Sequence, residues 1–429
     1  MSNKYVAARD GGIFLVSSTP ITMTDVEIVE VPADMHELTG TQLITDYRVA
    51  HGKLRARWRG QPNKNLKLAF VGNWKMQCGI STYSESLLPE IAKHVSDFRL
   101  FIEKNDRPTG PTTVVGHMAV SPDHVVQCWK RGEPLGELAK AIKEYDPDVV
   151  HIQHEFGIWP NAGYWLSLMN QLSDYRVIVT MHSVFHHRDK TIVEAAMPEI
   201  IVHLEGARHV LKDEKGVPGL VHVIPHGCTP VTDRERLWNF YHSEHTLVQW
   251  GFGFPYKFWE ESIRTTHVLK RKYPDVFFTG LFSESPFNMP AHQVYYDKLM
   301  RMVRELDLVD NIAIIRGYQS DQSLDSYLRT NRVALFPYIA QPGHEVWGAS
   351  GAARYAMSKL LPVVTTNVNH FSDLPTLKGD TAEELAARID QMWSNPLAYG
   401  KQVERQVEYL NSHSWEQMAL QHVKLFSGT

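Results

Sequence analysis

Cysteine is scarce in this chain of 429 residues: Cys78, Cys128 and Cys228 are the only three, and they form no CxxC pair. That excludes a disulfide framework and points to a reducing compartment, the cytoplasm. Long apolar runs are also missing. No stretch reaches 18 apolar residues, so a membrane-spanning helix is not expected. The opening residues, MSNKYVAARDGGIF, lack the apolar centre and cleavage site of a secretory signal. There is no low-complexity tract and no short-period repeat. No GxGxxG fingerprint of a dinucleotide site occurs, and no HExxH accompanies the 22 histidines.

Negative charge is absent from one stretch. The net charge is −4, yet from Tyr47 to Ser84 there are eight Lys or Arg and no Asp or Glu. Within it, HGKLRARWRG sets Lys53, Arg55, Arg57 and Arg59 on alternate positions. As a strand, this segment turns all four cations to one face and Trp58 to the other. Two readings stand. One is an edge strand protected by charge. The other is a track for a polyanion, either nucleic-acid phosphates or an acidic membrane surface. A membrane-binding segment would add an amphipathic helix with exposed apolar residues, and none lies near the patch. Nucleic acid needs only a phosphate stripe and a stacking aromatic.

What is present is ordinary for a folded protein: 43% hydrophobic and 21% charged residues. The length implies two or three domains. Residues 1–65 read as a small β-rich module, with GGIFLVSS, DVEIVEVP and KLRARW as strands. Apolar runs then alternate with helical spacing. LKLAFVGNW, TTVVGHMAV, DVVHIQHEF, RVIVTMHSV and LVHVIPH read as buried parallel strands, and PLGELAKAIKEYDP is the clearest helix. The rhythm restarts at TLVQWGFG and continues through VFFTGLF, IAIIRGY, VALFPY and PVVTT. The expectation is an α/β protein with two doubly wound parallel sheets, one over residues 66–228 and one over 229–413. A last helix occupies 414–429. Such halves imply a cleft, with chemistry at the carboxyl ends of strands.

Several strand ends carry groups suited to that chemistry. In NWKMQCGISTYSESL, Gly79 opens a helix near Ser81 and Thr82, where free N–H groups suit an anion; a plain turn capped by Ser81 is the alternative. His154 and Glu155 end one strand, and His182 follows another, whereas His151 lies inside an apolar run and reads as core. His182 and His186 are four apart, but without further metal-ligand spacing hydrogen bonding suits His182 better. In GFGFPYKFWEE, Lys257 stands between strand and helix, where a point charge can meet a phosphate. Arg316 directly follows an apolar strand, where a guanidinium needs an anion. Glu345 precedes GASGAA, whose Ser350 and Gly351 would present N–H groups to a diphosphate.

Taken in order, CGISTYSESL, DVVHIQHEFG, VIVTMHSV, VIPHG, FGFPYK with LKRKYPDV, FPY, SGAARYA with PVVTT, and SWEQMA resemble the retaining GT-B glycosyltransferases of family four. The resemblance runs from about Leu66 to the C-terminus. It implies a GT-B fold of two Rossmann-like domains, with a nucleotide sugar held mainly by the second. It implies that Lys257 and Arg316 neutralise the donor diphosphate, that Ser350 and Gly351 donate to it, and that Gly79 closes over it. His182 would lie near the sugar, His154 and Glu155 on the acceptor side, and the helix containing Trp415 would cross back to the first domain. No metal and no cofactor beyond the donor are implied.

Two positions depart from the family pattern. Its Glu-x7-Glu pair falls on Trp347 and Tyr355, with Glu345 as the nearest substitute for the first carboxylate, and its Arg five residues before the loop Lys is Phe252. The catalytic set expected is therefore His182, Glu345 and Lys257. The family does not normally carry sixty-odd residues ahead of its first strand. Arg55, Arg57 and Trp58 of that module are read as acceptor contacts, for which a modified base in DNA is one acceptor, or the module serves oligomerisation. A degenerate relative acting as a binding or partner subunit, and a sugar-nucleotide epimerase, are the competing functions.

Overall fold

The computed structural model describes residues 4–9, 12–17, 27–31, 66–104, 113–115, 118–186, 191–231, 245–284, 289–340 and 345–428. The basic segment Lys53–Arg59, with Arg55, Arg57 and Trp58, lies outside them. The chain forms two compact units. One comprises Met1–Gly227, Val346–Gly348 and Trp415–Thr429; the other comprises Cys228–Glu345 and Ala349–Ser414.

The first unit begins with β1 (Lys4–Arg9), β2 (Gly12–Ser17) and β3 (Glu27–Val31), an antiparallel sheet of order β2-β1-β3. The main sheet follows. Its strands are β4 (Lys67–Gly72), β5 (Asp97–Glu103), β8 (Val125–Trp129), β9 (Val149–His154), β10 (Arg176–Met181), β12 (Glu199–Val202) and β13 (Leu220–Val223). All its pairings are parallel, in the order β13-β12-β10-β9-β4-β5-β8. Helices cover both faces, so β9 is buried at every residue, its polar His151, Gln153 and His154 included. TTVVGHMAV does not behave as its apolar content suggests. It is a short antiparallel pair, β6 (Thr113–Val115) with β7 (Met118–Val120), because an apolar run alone does not set strand length or partner. Of the strands that flank it in sequence, β5 breaks its apolar residues with Asp97, Arg99 and Glu103, and β8 with Gln127 alone.

A further short strand, β11 (Val184–Phe185), pairs antiparallel with β18 (Val346–Trp347), a segment from late in the chain. The indole of Trp347 lies over Gly206, where an added Cβ would sit 2.1 Å from the ring. The terminal helix Trp415–Ser427 contributes Met418, Ala419 and Phe426 to the same core as Leu87, Leu88 and Ile91 of the helix Gly79–Ala92. Gly227 is required by that docking: its Cβ would lie 2.1 Å from the Trp415 ring.

The second unit holds β14 (Thr246–Phe252), β15 (Phe277–Ser283), β16 (Ile312–Arg316), β17 (Val333–Phe336), β19 (Val363–Thr365) and β20 (Leu377–Lys378). They pair in parallel in the order β16-β15-β14-β17-β19-β20. Counted along the unit this is 3-2-1-4-5-6, the Rossmann order, and the winding reverses between β14 and β17. Fully buried Phe278, Phe282 and Phe336 lie among its core residues, each stabilising the fold by roughly 1.5–3 kcal/mol.

Candidate active site

The switch point of the second sheet is where a doubly wound fold leaves a crevice. Lys257 follows β14 there, and Tyr338 follows β17. The Lys257 ammonium donates to the Tyr338 hydroxyl at 3.0 Å, and both side chains are buried. Local structure holds the lysine in place. Gln249 of β14 donates its amide to the Lys257 carbonyl at 3.0 Å, and Ser262 donates to the Gln249 amide oxygen at 2.6 Å. The Ile339 N–H reaches the Tyr256 carbonyl at 2.9 Å and ties the two loops together. Gly251 makes room for the ammonium: with φ at +132°, its Cβ would sit 2.5 Å from Nζ. A Cβ added to Gly253 would sit 1.9 Å from the Phe282 ring, so packing requires glycine there. Burial pushes the Lys257 pKa down from its ordinary value. No carboxylate offsets it in an ion pair among the described residues.

Ser350 caps the helix Gly351–Ser358, accepting from the Ala353 N–H at 3.3 Å; burial pushes the Tyr338 hydroxyl pKa up, and hydrogen bonding with the Ser350 side chain opposes that rise. Gly351 is the exposed first residue of that helix. The structure thus brings Lys257 and Ser350 together through Tyr338, a residue of the FPY motif to which the sequence reading gave no role. Its signal was a polar side chain in FPY directly after a buried strand. Arg316 is engaged elsewhere. At the end of edge strand β16 it pairs with Glu284, Nε to Oε1 at 3.1 Å, and lies 4.9 Å over the Tyr296 ring. Phe252, standing where the family has its arginine, faces the Tyr318 ring at 6.4 Å. Glu345 is partly exposed, next to the segment that runs into β18.

In the first unit, the candidate residues gather at the ends of β9 and β10. The His182 Nε2–H donates to the Gln153 amide oxygen at 2.9 Å. The Gln153 amide nitrogen then donates to His151 Nε2 at 3.2 Å, a nitrogen that also meets the Thr180 hydroxyl at 2.8 Å. This chain of bonds sets the tautomers: His182 keeps its lone pair on Nδ1. Gly72 lies against Gln153, where an added Cβ would sit 3.0 Å from its side chain. Tyr83 stands edge-on to His182 at 4.7 Å and touches His203, His226 and Trp415 at 5.2 Å each. Burial and neighbouring imidazoles hold the His182 and His151 pKa values well below the ordinary histidine range.

His154 is fully buried against Phe156 and Trp165, and burial lowers its pKa to about 3. Glu155 is partly exposed and accepts the Phe156 N–H at 3.1 Å. The helix Gly79–Ala92 starts two residues before Ser81. The Ser81 hydroxyl instead accepts from the Met76 N–H at 2.9 Å and donates to Glu85 at 2.6 Å, fixing the preceding loop. A Cβ on Gly79 would meet nothing within 4 Å, so packing does not require glycine there. Among the described residues no group of three or more His, Cys, Asp or Glu is arranged to hold a metal ion.

Comparison with known proteins agrees with this architecture. The profile of Glycosyltransferase Family 4 matches residues 78–231. A trehalose-6-phosphate structure from E. coli, bound with UDP-2-fluoro glucose, superposes with a TM-score of 0.62 at 12% identity, over 84% of this chain and 99% of that one. The chain is a GT-B protein resembling family four. The GT-B likeness extends to a sucrose-phosphate synthase from Thermosynechococcus elongatus (TM-score 0.63, 17% identity, 84% and 98% covered). It extends also to an alpha,alpha-trehalose-phosphate synthase (UDP-forming) from Burkholderia xenovorans in complex with glucose-6-phosphate (TM-score 0.64, 11% identity, 84% and 99% covered). No curated protein matches the sequence. Within this GT-B frame the missing carboxylates have a physical explanation. Trp347 is committed to Gly206 and to the core of the first unit, and Tyr355 packs in a core of the second, 6.5 Å from the Trp250 ring.

Proposed function

We propose that the protein is a glycosyltransferase that moves a sugar from a nucleoside-diphosphate sugar to an acceptor hydroxyl, with retention and without a metal ion. Lys257 carries the reading. A buried ammonium with a phenol as its hydrogen-bond partner is costly unless an anion joins it, and the switch point is where a diphosphate would lie. Ser350 and the first N–H groups of the helix Gly351–Ser358 supply neutral donors to the same anion.

In the reaction proposed, the bond from the anomeric carbon to the β-phosphate oxygen breaks, and the diphosphate leaves with the electron pair. Lys257 stabilises the charge that develops on it. The acceptor oxygen bonds to the anomeric carbon on the face the phosphate leaves, and the acceptor proton passes to the departing phosphate oxygen. Arg316 joins the diphosphate only by exchanging Glu284 for it. His182, with its Nδ1 lone pair, would accept from a sugar hydroxyl, and Glu345 would supply the carboxylate that Trp347 cannot.

Thermal shift with a panel of nucleoside-diphosphate sugars tests the donor, since a ligand bound to the folded state stabilises it. Expected is a shift with at least one donor that disappears in Lys257→Ala; no shift with any donor sinks the reading. Product analysis with donor alone separates an epimerase, which converts it, from a transferase. Binding without turnover in any acceptor screen would favour the degenerate subunit, the reading that Trp347 and Tyr355 support. The acceptor rests on sequence alone. If it is a base in DNA, duplex binding falls steeply with salt and is lost on Arg55→Glu with Arg57→Glu; turnover indifferent to both would remove DNA from consideration.

A further inference from the structure

Among the described residues, the second unit has a shortage of positive charge at its switch point. A sugar nucleotide brings two ionised phosphates, and the position where the family carries an arginine holds Phe252. Other cations near that end are committed. Arg316 pairs with Glu284. Arg354 is buried in bonds to the Ser350 carbonyl at 3.1 Å, to Tyr409 at 3.1 Å and to Asp373. Lys378 donates to the Phe371 carbonyl at 2.6 Å.

Among the described residues of the cluster, one imidazole is in no ion pair. His370 lies on the turn Asn369–Phe371, and its carbonyl accepts the Ser350 N–H at 3.3 Å, which ties it to the cap of the helix Gly351–Ser358. Its ring stacks on Tyr256 at 5.7 Å and 14°, and meets Tyr338 edge-on at 5.6 Å and 77°. Those two rings are the ones over which the Lys257 ammonium sits, at 5.9 Å and 5.0 Å. His370 as a residue is partly exposed.

On the donor reading above, we propose that His370 is a second phosphate-binding residue of the donor site, neutral in the free protein and protonated when a sugar-nucleotide diphosphate binds. The proton comes from solvent and stays on the imidazole. The group that faces it with charge is Lys257, from the loop after β14. Tyr256 of that loop and Tyr338 after β17 face it as neutral phenols, and Ser350 faces it through its backbone. With no anion present, burial and the Lys257 charge hold the His370 pKa down to about 4. Two phosphates placed against the same rings reverse the sign of the local field, and the imidazolium then does the work of the missing arginine. Donor binding is thereby linked to proton uptake. Affinity falls as pH rises through the raised pKa of the complex.

The test is isothermal titration of the full chain with UDP-glucose, GDP-mannose and ADP-glucose at pH 6.5, in buffers of different ionisation enthalpy. These donors carry only diester phosphates, which do not titrate in that range. The expected heat depends on buffer, giving uptake of up to about one proton per donor bound. In His370→Gln binding persists about tenfold weaker with no uptake. In His370→Lys affinity returns, also without uptake. Wild-type binding with no buffer dependence, or uptake that survives in His370→Gln, overturns the role of His370 and leaves the donor reading standing. If the wild type binds none of the three donors, both fall.

Discussion

Lys257 and Tyr338 lie 81 residues apart in sequence and share a 3.0 Å hydrogen bond at the point where the second sheet reverses its winding. The ammonium belongs to the loop after β14 and the phenol to the loop after β17. Their pairing gives a free protein with a buried charge that a diphosphate would compensate better than a phenol does.

Removing the charge should therefore stabilise what removing its partner weakens. Lys257→Met is expected to leave the unfolding midpoint unchanged or raised, while abolishing the donor-induced thermal shift. Tyr338→Phe leaves the ammonium without its acceptor and should cost about 1–3 kcal/mol in denaturant unfolding. A Lys257→Met protein that unfolds earlier than wild type would show that the lysine serves the fold.

Two glycines should respond differently to the same substitution. Gly251→Ala places a methyl 2.5 Å from the Lys257 ammonium at φ +132°, and should lower both stability and donor affinity. Gly79→Ala meets nothing within 4 Å and should change stability by less than about 0.5 kcal/mol. Loss of turnover in Gly79→Ala with an unchanged melt would place a ligand against that helix start.

Gln153→Leu strips the shared partner from His182 and His151 and should destabilise the first unit by about 1–3 kcal/mol. It also frees the His182 ring to take either tautomer. Nitrogen-15 NMR is expected to find the proton on Nε2 in wild type and a mixture in the variant. A single unchanged tautomer would show that Gln153 does not set it.

Acid should weaken the protein through its buried histidines. His154 and His422 are held neutral by burial, down to about 3 and about 4, and His151 and His182 are shifted in the same direction. In the unfolded chain these rings protonate near 6.5, so between that pH and about 3–4 the unfolded state binds more protons. Their contribution to stability is present above 6.5 and is lost as pH falls through that window. Urea midpoints measured from pH 8 to pH 4.5 should drop below pH 6.5, less steeply in His154→Phe. A flat profile would contradict neutral burial.

The sequence by itself determined the layer architecture. Strands buried on both faces must be apolar along their length, and helices must be apolar on one side, so LKLAFVGNW or VFFTGLF followed by helical spacing is enough to read a doubly wound sheet. It also determined which residues end strands, because a lysine or serine after an apolar run is a local pattern: Lys257 and Ser350 are visible that way. The tertiary structure alone decided who meets whom. Strand order is a property of the whole sheet, so nothing near Lys257 in the chain announces Tyr338 or His370. Gln153 hides inside an apolar strand until β10 sets His182 beside it. Arg316 reads as a free cation until Glu284, 32 residues earlier, is brought against it across the edge of the sheet. Trp347 illustrates the same division. Its place in the motif is legible, but only packing against Gly206 explains why an indole stands where a carboxylate was expected.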